Sequence, residues 1–326
     1  MAYRLVGKDF TPPDIGAKVT GAAKYVEDYR REGMVFARVV RSVMPHAKVT
    51  AIDTTEALKV PGVVGVLLPT EVPHFPEPEF PILTDAPRHV GAPIMAIAAV
   101  DEWAAAEAAE KVKITYQARP FVVDSLDSLF PGSPNAHEKG NIFSARIDLQ
   151  ELKWTARDFG AVDDGQLPLG KAADEWKYGD VDAGFAKAKL VIDESYVTGG
   201  LPHNCMEPRS SFAYWENGKV FVHGSSQSQT AMIVGLARLA GVDPKDLHYI
   251  AEFCGGGFGS KAGGYPAMAM SAHFAKKLNR PVLVRLGRGD EAHEGIGRPG
   301  FQGRFKIGFA ENGRIIPARI TGTKAG

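Results

Sequence analysis

The sequence predicts a mixed α/β (α+β) fold built from two regions. In the first region, an apolar run at residues 92–100 has the length of a strand, an Ala-rich helix follows it, and residues 113–117 return to a strand pattern. In the second region, two Asn-Gly pairs separate strand-like runs, and two apolar helices precede a buried strand. Helices and strands therefore alternate along both halves of the chain.

The helix of the first region has a clear beginning. Asp101 stands before the run EWAAAEAAE, whose Ala and Glu residues have high helix propensity, and it suits the N-cap position. The strand at 113–117 ends before Pro120. The Pro-rich stretch at 69–87 is predicted to be a loop that crosses this region.

The second region contains two predicted hairpins. Asn217-Gly218 and Asn312-Gly313 each lie between strand-like runs. Both residue types accept a positive φ, as both positions of a two-residue hairpin turn require. We therefore expect a two-residue turn at each pair.

Two helices and a strand complete the second region. A helix is predicted over 230–240, ending at Gly241, and another over 265–278, with Asn279 after its end. Residues 282–286 have the pattern of a buried strand. A glycine-rich loop is expected to join a strand to the second helix.

The composition is that of a globular protein without a polyanionic partner. The 326 residues suffice for two domains, and 38 Lys and Arg balance 38 Asp and Glu. No basic run with interleaved aromatic residues indicates nucleic-acid binding. The N-terminus lacks the apolar segment of a signal peptide, and no run of about 18 apolar residues occurs. We expect no membrane span and a cytoplasmic location.

The two cysteines, Cys205 and Cys254, exclude several kinds of site. An iron–sulfur cluster takes about four thiolates, and a disulfide scaffold also needs more cysteines. Both residues are predicted to be buried reduced thiols.

The most informative motif is CGGGFGSK at residues 254–261, taken with Gln227 about thirty residues before it. Successive glycines bring bare backbone N–H groups against a ligand, and an anionic cofactor is a common ligand of such loops. A Walker loop needs Gly before its Lys, where this chain has Ser260. A GxGxxG motif fails too, because its last glycine would fall on Ser260 or Ala262. Phosphate-loop and Rossmann sites are therefore disfavoured.

The loop, the Gln and their spacing resemble the molybdenum hydroxylases, the family of xanthine dehydrogenase and aldehyde oxidase. In that family a strand-end Gln and a GGGFG-type loop meet the molybdopterin cofactor. Other segments resemble the family in the same order: YVED (25–28), MPHAK (44–48), HVG (89–91), VKITY (112–116), GDVDAGF (179–185), HNCME (203–207) and RFKIG (304–308). The resemblance covers nearly the whole chain except residues 142–176.

The resemblance implies an N-terminal α/β hammerhead domain at 1–141 and the first part of a mixed α/β molybdopterin-binding domain at 177–326. Residues 142–176 are predicted to be a linker or a segment that contacts a partner chain. In the family the cofactor domain continues further, and that continuation carries an Arg-containing loop and the catalytic Glu. We expect this Glu on a partner chain; the alternative is that the chain is a fragment of a longer one.

The resemblance also assigns roles to individual residues. Gln227 would hydrogen-bond an oxo group of the metal. The cofactor-binding residues would be Gly255, Gly256, Gly257, Phe258, through its backbone N–H, and Gly259. The residues themselves leave plainer interpretations open, namely an exposed amide for Gln227, a tight turn for the glycines and a core position for the Phe258 ring.

Ala262 bears on the substrate. In the purine-oxidising branch of the family a Glu follows the Lys of this loop and anchors the heterocycle, whereas Lys261 is followed here by Ala262. A small apolar pocket wall disfavours xanthine and favours an aldehyde, an aromatic ring or an alicyclic ketone.

No ordinary metal site is predicted, because the nine histidines form no HxH or HExxH pair. His203 and Glu207 lie four residues apart, a spacing that would place them on one helical face or in a turn. A structural hydrogen bond is the expected role of His203, and buried pairing that of Glu207. A catalytic role for either is the less favoured alternative.

The function that the resemblance implies is that of a subunit of a molybdenum hydroxylase or dehydrogenase. It would oxidise an aldehyde, aromatic heterocycle or alicyclic carbonyl or alcohol, with water as the oxygen source. We expect molybdenum with molybdopterin, in its cytosine dinucleotide form, shared with a second molybdopterin-binding subunit. [2Fe-2S] clusters would lie on a small separate subunit, and an FAD subunit is left open. The alternatives are a hydratase and alcohol dehydrogenase acting on cyclic enones, and a non-catalytic scaffold subunit.

Overall fold

The computed structural model describes residues 4–74, 81–144, 147–163 and 165–325. Residues 75–80 of the predicted Pro-rich loop therefore lie outside the described residues. Within the described ranges, no helix combines the length and the apolar character needed to cross a membrane.

The elements of the first region are, in order, α1 (Ile15–Val19), β1 (Val35–Arg41), β2 (Ala47–Asp53), β3 (Val63–Leu67), β4 (Pro93–Ala99), α2 (Glu102–Lys111) and β5 (Lys113–Ala118). Those that follow are β6 (Ile142–Ser144), β7 (Ile147–Gln150), α3 (Ala156–Phe159), α4 (Val181–Lys187), β8 (Leu190–Thr198), β9 (Ser211–Glu216), β10 (Lys219–Gly224), α5 (Gln229–Ala240), β11 (Leu247–Ile250), α6 (Pro266–Leu278), β12 (Val282–Val284), α7 (Arg288–Glu294), β13 (Gly300–Phe309) and β14 (Ile315–Ala325). Both long helices of the second region end as predicted, at residues with left-handed backbone: Gly241 (φ 68°) and Asn279 (φ 50°).

One sheet contains strands from both regions. Its order is β11-β10-β9-β12-β1-β4-β3. β12 pairs in parallel with β1, which places Val282 opposite Val35. The two regions therefore form one sheet only because β1 pairs with a strand about 250 positions later in the sequence.

Alternate residues of β4 pack on opposite faces of this sheet. Ala96 and Ala98 belong to the larger core, which α5 and α6 cover with side chains such as Met268. Ile97 and Ala99 belong to a smaller core under α2. Both faces of β4 are fully buried, which explains its continuous apolar sequence.

The predicted strand–helix–strand order is confirmed as β4, α2 and β5, and Asp101 caps α2 by accepting a hydrogen bond from Ala104 N (2.8 Å). The two strands lie in different sheets, however, because β5 pairs with β2 in a separate two-stranded sheet. α2 therefore connects two sheets and is not the crossover of a parallel unit.

The two Asn-Gly hairpins differ. The β9–β10 hairpin turns at Asn217 (φ 53°) and Gly218 (φ 76°), as predicted. β13 and β14 also pair, but Gly313 has a positive φ (77°) and Asn312 does not. Asn312 Oδ1 instead accepts a hydrogen bond from Arg314 N (3.2 Å), within a longer turn closed by Ala310 N and Arg314 O (2.9 Å). The predicted hairpin at Asn312-Gly313 is therefore confirmed, but its turn is wider than two residues, because the Asn side chain satisfies the backbone inside the loop.

Residues 142–176 carry more structure than their sequence indicates. β6 and β7 pair as a hairpin, and α3 follows. The Trp154 ring packs edge-on against Phe130 and Phe159, each with centroids 5.6 Å apart. Leu167 N donates to Ser195 Oγ on β8 (2.8 Å). The segment is thus packed against its neighbours on both sides, and its contact with a partner chain stays a prediction.

A second sheet has the order β14-β13-β8. The short helix α4 lies against one of its faces, where the Phe185 ring receives the cationic groups of Lys306 and Arg319. The predicted mixed α/β architecture is confirmed, with two principal sheets and helices on both faces of the larger one.

Candidate cofactor-binding site

The glycine-rich loop joins β11 to α6, as predicted, and its backbone requires glycine. Gly256 (φ 102°) and Gly259 (φ 99°) adopt left-handed backbone conformations. A Cβ at Gly257 would lie 2.4 Å from Gln227 Cγ, and a Cβ at Gly255 would lie 2.4 Å from Glu207 Cβ. Of the three successive glycines, Gly255 and Gly257 are therefore needed because side chains approach them closely, and Gly256 is needed for its backbone angle.

Phe258 has φ 52°, which is rare for an aromatic residue. Its ring is 68% exposed, so it is not part of the core. Strained backbone of this kind persists where the surroundings enforce it, as at ligand-binding loops.

Gln227 is locked to this loop. Its Oε1 accepts hydrogen bonds from Gly259 N (2.8 Å) and Lys261 N (3.2 Å), and its own N donates to Lys261 O (3.0 Å). Because both groups facing the side chain are donors, the amide oxygen must face the loop. The exposed amide therefore has a fixed orientation, with Nε2 as a donor directed away from the loop.

The residues fit an anionic, oxygen-rich cofactor. Within the described part of the chain, the N–H groups of Gly256, Gly257 and Phe258 donate to no protein acceptor. With Gln227 Nε2 they form a set made of donors alone. Such a set binds phosphate and oxo groups and offers nothing to a cation.

Glu207 lies beneath the loop, buried. Its Oε2 accepts from Gly255 N (2.7 Å) and Ser225 Oγ (2.6 Å), and its Oε1 accepts from Val26 N (3.3 Å). This one carboxylate therefore connects the first region, the strand end before Gln227 and the start of the glycine loop.

Lys261 completes this support, fully buried. Its Nζ donates to Glu207 O (2.6 Å) and Ser225 Oγ (2.8 Å), and it lies 3.9 Å from Glu207 Oε2. Burial lowers the pKa of Lys261 from its ordinary value, and the Glu207 carboxylate opposes that shift. The lysine is thus turned inward, away from the outer surface of the loop.

A second buried ion pair holds the far end of the loop. Arg209 is 2% exposed; its guanidinium bonds Glu291 of α7 and donates through Nη2 to Ser260 O (2.8 Å). Arg209 N also donates to Glu291 Oε2 (2.9 Å). Sequence reasoning missed both residues as members of the site, because no local pattern links two charged residues 82 positions apart.

The remaining predicted residues lie around this centre. His203 Nδ1 contacts Ile296 O (3.0 Å), whereas Glu207 points to the loop, so the segment between them is not helical and the two do not share a face. Ala262 is exposed, directly after Lys261. Cys205 is buried, but Cys254 is half-buried, which corrects the prediction for that thiol; both are free.

Among the described residues, no group of three or more His, Cys, Asp or Glu side chains is arranged to hold a metal ion.

Two family models match the chain. The hammerhead domain of aldehyde oxidase and xanthine dehydrogenase matches residues 20–120, and the molybdopterin cofactor-binding domain matches residues 165–325. The second match contains the loop, Gln227 and Glu207.

The chain is also similar to curated proteins. A probable xanthine dehydrogenase subunit of Bacillus subtilis is 28% identical over 311 residues, which cover 93% of this chain and 38% of that protein. The nicotinate dehydrogenase large molybdopterin subunit of Eubacterium barkeri is 25% identical over 328 residues, which cover 98% of this chain and 70% of that protein.

The aldehyde oxidoreductase of Desulfovibrio gigas has a similar structure, with a TM-score of 0.75 and 25% identity over 93% of this chain and 32% of that one. This chain thus spans less than two fifths of the Bacillus and Desulfovibrio relatives. The likeness extends through both sheets and both matched domains. The chain belongs to the aldehyde oxidase and xanthine dehydrogenase family of molybdopterin-binding proteins.

Proposed function

We propose that this chain is a subunit of a multi-subunit molybdenum oxidoreductase and that it holds one side of the cofactor. One observation carries the proposal: Gln227 and the glycine loop form a single hydrogen-bonded unit, and among the described residues the N–H groups of Gly256, Gly257 and Phe258 in that unit have no protein acceptor. The donors come from backbone and amide groups, so they bring no charge that would alter the metal's own acidity.

Each part of this unit has a distinct task. The N–H groups of Gly256, Gly257 and Phe258 hold anionic groups of the cofactor, and Gly255 and Gly259 set the backbone angle and approach that aim them. Gln227 Nε2 would donate a hydrogen bond to the cofactor at its metal end. When bound, the molybdenum cofactor supplies a two-electron oxidation in which water provides the oxygen. Glu207 and Lys261 keep the loop in place from below.

The substrate we propose is an aldehyde, an aromatic heterocycle or an alicyclic carbonyl or alcohol. Ala262 is exposed next to the loop and presents no carboxylate that would anchor a purine. The names of the relatives span xanthine, nicotinate and aldehyde oxidation, so the family accommodates several substrate classes. A hydratase acting on cyclic enones is the alternative, and turnover of a cyclic enone would distinguish it.

We further propose that the catalytic carboxylate and the electron relay lie on partner chains. Cys205 contacts Ser260 (Sγ to Oγ, 3.9 Å) and Cys254 contacts Ser225 (Sγ to Oγ, 3.4 Å), so both thiols belong to the support of the loop. A small [2Fe-2S] subunit would carry the electron relay and a second molybdopterin-binding subunit the catalytic carboxylate, with an FAD subunit left open. The cytosine dinucleotide form of the cofactor and the cytoplasmic location stay predictions.

The test is purification of the complex from its native host with Gln227→Ala, and with Gln229→Ala as the matched control. Gln229 is also an exposed amide, but its Nε2 donates to Ala251 O (2.7 Å), three residues before Cys254, so this donor is already paired. Molybdenum and iron content would be measured together with turnover on aldehydes, N-heterocycles and cyclic enones.

We expect the wild-type complex to contain molybdenum, Gln227→Ala to lose about 10²-fold in turnover, as for removal of one preorganised donor, and Gln229→Ala to retain its turnover. Unchanged turnover in Gln227→Ala would favour the scaffold alternative. A wild-type preparation without molybdenum would contradict the proposed function.

A further inference from the structure

The second sheet has one strongly apolar face. Residues that are opposite one another in a sheet project from the same face. Phe305 of β13 lies opposite Glu194 on β8 and Ile320 on β14, and Ile307 lies opposite Ile192. Further positions on this face are Leu190, Tyr196, Phe309 and Ile315. The Tyr196 and Phe305 rings meet edge-on with centroids 5.3 Å apart, which fixes the common face.

This apolar face is exposed. Leu190, Ile192, Tyr196, Ile315 and Ile320 are between 41% and 62% exposed. Half-buried Phe305, Ile307 and Phe309 lie between them on the central strand. A contiguous apolar surface of this kind marks a site of protein–protein contact.

The opposite face of the same sheet carries charged residues and is partly covered. Arg304 forms a bidentate pair with Asp193 (2.6 and 2.9 Å), and Arg319 pairs with Asp182 of α4 (2.7 Å). α4 packs there, with Gly184 against Pro317. The chain therefore covers part of the polar face with its own residues, whereas the apolar residues of the other face stay exposed.

The strands of this sheet lead directly to the cofactor site. After β8 ends at Thr198, the chain passes Leu201, which forms an isolated β-bridge with Arg298, and enters the segment that carries Glu207. β13 follows α7, which carries Glu291, and His203 is bonded to Ile296 between them. The sheet is therefore connected, through short segments of chain, to the residues that support the glycine loop.

We propose that this face, defined by Leu190, Ile192, Tyr196, Phe305, Ile307, Phe309, Ile315 and Ile320, docks the remainder of the molybdopterin-binding subunit. The proposal rests on the proposed function. In the solved relatives this chain corresponds to 32–39% of a polypeptide, so most of their folded mass lies outside the matched part. Glu194, in the middle of the face, calls for a Lys or Arg on the docking surface of that polypeptide.

The test places the photoreactive residue p-benzoylphenylalanine at Tyr196, at Ile320 and at Val197, one position per variant, in the full chain in its native host. Tyr196 and Ile320 are on the apolar face; Val197 is equally exposed, at 64%, but projects from the opposite face. Two positions on the apolar face guard against one variant failing to fold. Cross-linked peptides would be identified by mass spectrometry, and molybdenum measured in the same preparation.

We expect the variants at positions 196 and 320 to form cross-links to peptides that align with family sequences outside the matched part. The variant at position 197 should form none of these cross-links. Cross-links to a second copy of this chain, to an iron–sulfur chain or to nothing would overturn the docking proposal. If the preparation contains molybdenum in those cases, the proposed function still stands; if it contains none, both proposals fail.

Discussion

At the residue scale, Glu207 decides how the glycine loop is held. It is the carboxylate nearest to the buried Lys261 ammonium and also accepts the Gly255 N–H. Removing one partner of a buried ion pair costs about 3–5 kcal/mol, because the other charge stays buried. We expect Glu207→Leu to lower the free energy of unfolding by about that amount, measured by urea denaturation.

A double variant separates charge from packing. Glu207→Leu combined with Lys261→Met leaves no unpaired charge, so we expect it to be more stable than Glu207→Leu alone. If the double variant is the less stable of the two, the lysine does not depend on this carboxylate, and the support of the loop must come from hydrogen bonds alone.

Also at the residue scale, His223 makes stability depend on pH. Its buried ring packs against Tyr29, with centroids 4.3 Å apart, and burial lowers its pKa from 6.5 to about 4. Below pH 6.5 the unfolded chain binds a proton that the folded chain does not, so stability falls as the pH drops towards 4.

We expect His223→Phe to abolish this contribution. The wild-type chain should lose about 2 kcal/mol more than the variant between pH 7 and pH 5, from the size of the pKa shift. Urea denaturation at the two pH values measures the free energy of unfolding of each protein. An equal change in that free energy between pH 7 and pH 5 for both proteins would contradict the assignment to His223.

At the scale of elements, the glycine loop depends on close packing against Gln227. Gly257→Ala would place a Cβ 2.4 Å from Gln227 Cγ and push the amide out of position. A displacement of about 1 Å at such a site costs about 10²-fold in rate. We expect that loss in turnover of the purified complex, together with a lower molybdenum content.

Gly263→Ala is the matched control for this loop. Gly263 is exposed just beyond Lys261, and an added Cβ there meets nothing within 4 Å. Its turnover and molybdenum content should equal those of the wild type. A similar loss in both variants would mean that the loop responds to any added side chain and not to contact with Gln227.

At the scale of the whole molecule, the pairing of β1 with β12 makes the two regions depend on each other. Val35, Ala37, Val282 and Val284 are all fully buried along this pairing. Separating the regions would expose two adjoining strand edges and the core that α6 covers. We therefore expect the larger sheet to unfold as one cooperative unit.

Hydrogen exchange followed by mass spectrometry tests this expectation. Peptides from β4 in the first region and from β10 in the second should exchange through the same opening event, with equal free energies. Peptides from the exposed segment around Trp176 serve as the fast-exchanging reference. Much weaker protection of β4 than of β10 would show that the first region opens alone.

The sequence by itself determined the features that depend on neighbouring residues. Asp101 caps α2, Gly241 and Asn279 end their helices, and Asn217-Gly218 turns a hairpin, because each depends on a local backbone preference or a local hydrogen bond. The need for glycine in the loop was also readable, since positive φ and close packing against Gln227 restrict the residue type; the role of these residues toward a cofactor stays a prediction. The turn at Asn312 shows the limit, because Asn can either adopt a positive φ or cap a wider loop with its side chain.

Only the tertiary structure decided how distant segments meet. Strand order placed β12 beside β1 and put β4 and β5 in different sheets, and no local pattern encodes such pairing. The buried pairs of Glu207 with Lys261 and of Arg209 with Glu291 join residues 54 and 82 positions apart. In the sequence these are ordinary charged residues; folding removes them from water, and in that buried position they support the glycine loop. The exposed apolar face emerged in the same way, because which face of a sheet is covered depends on where α4 packs.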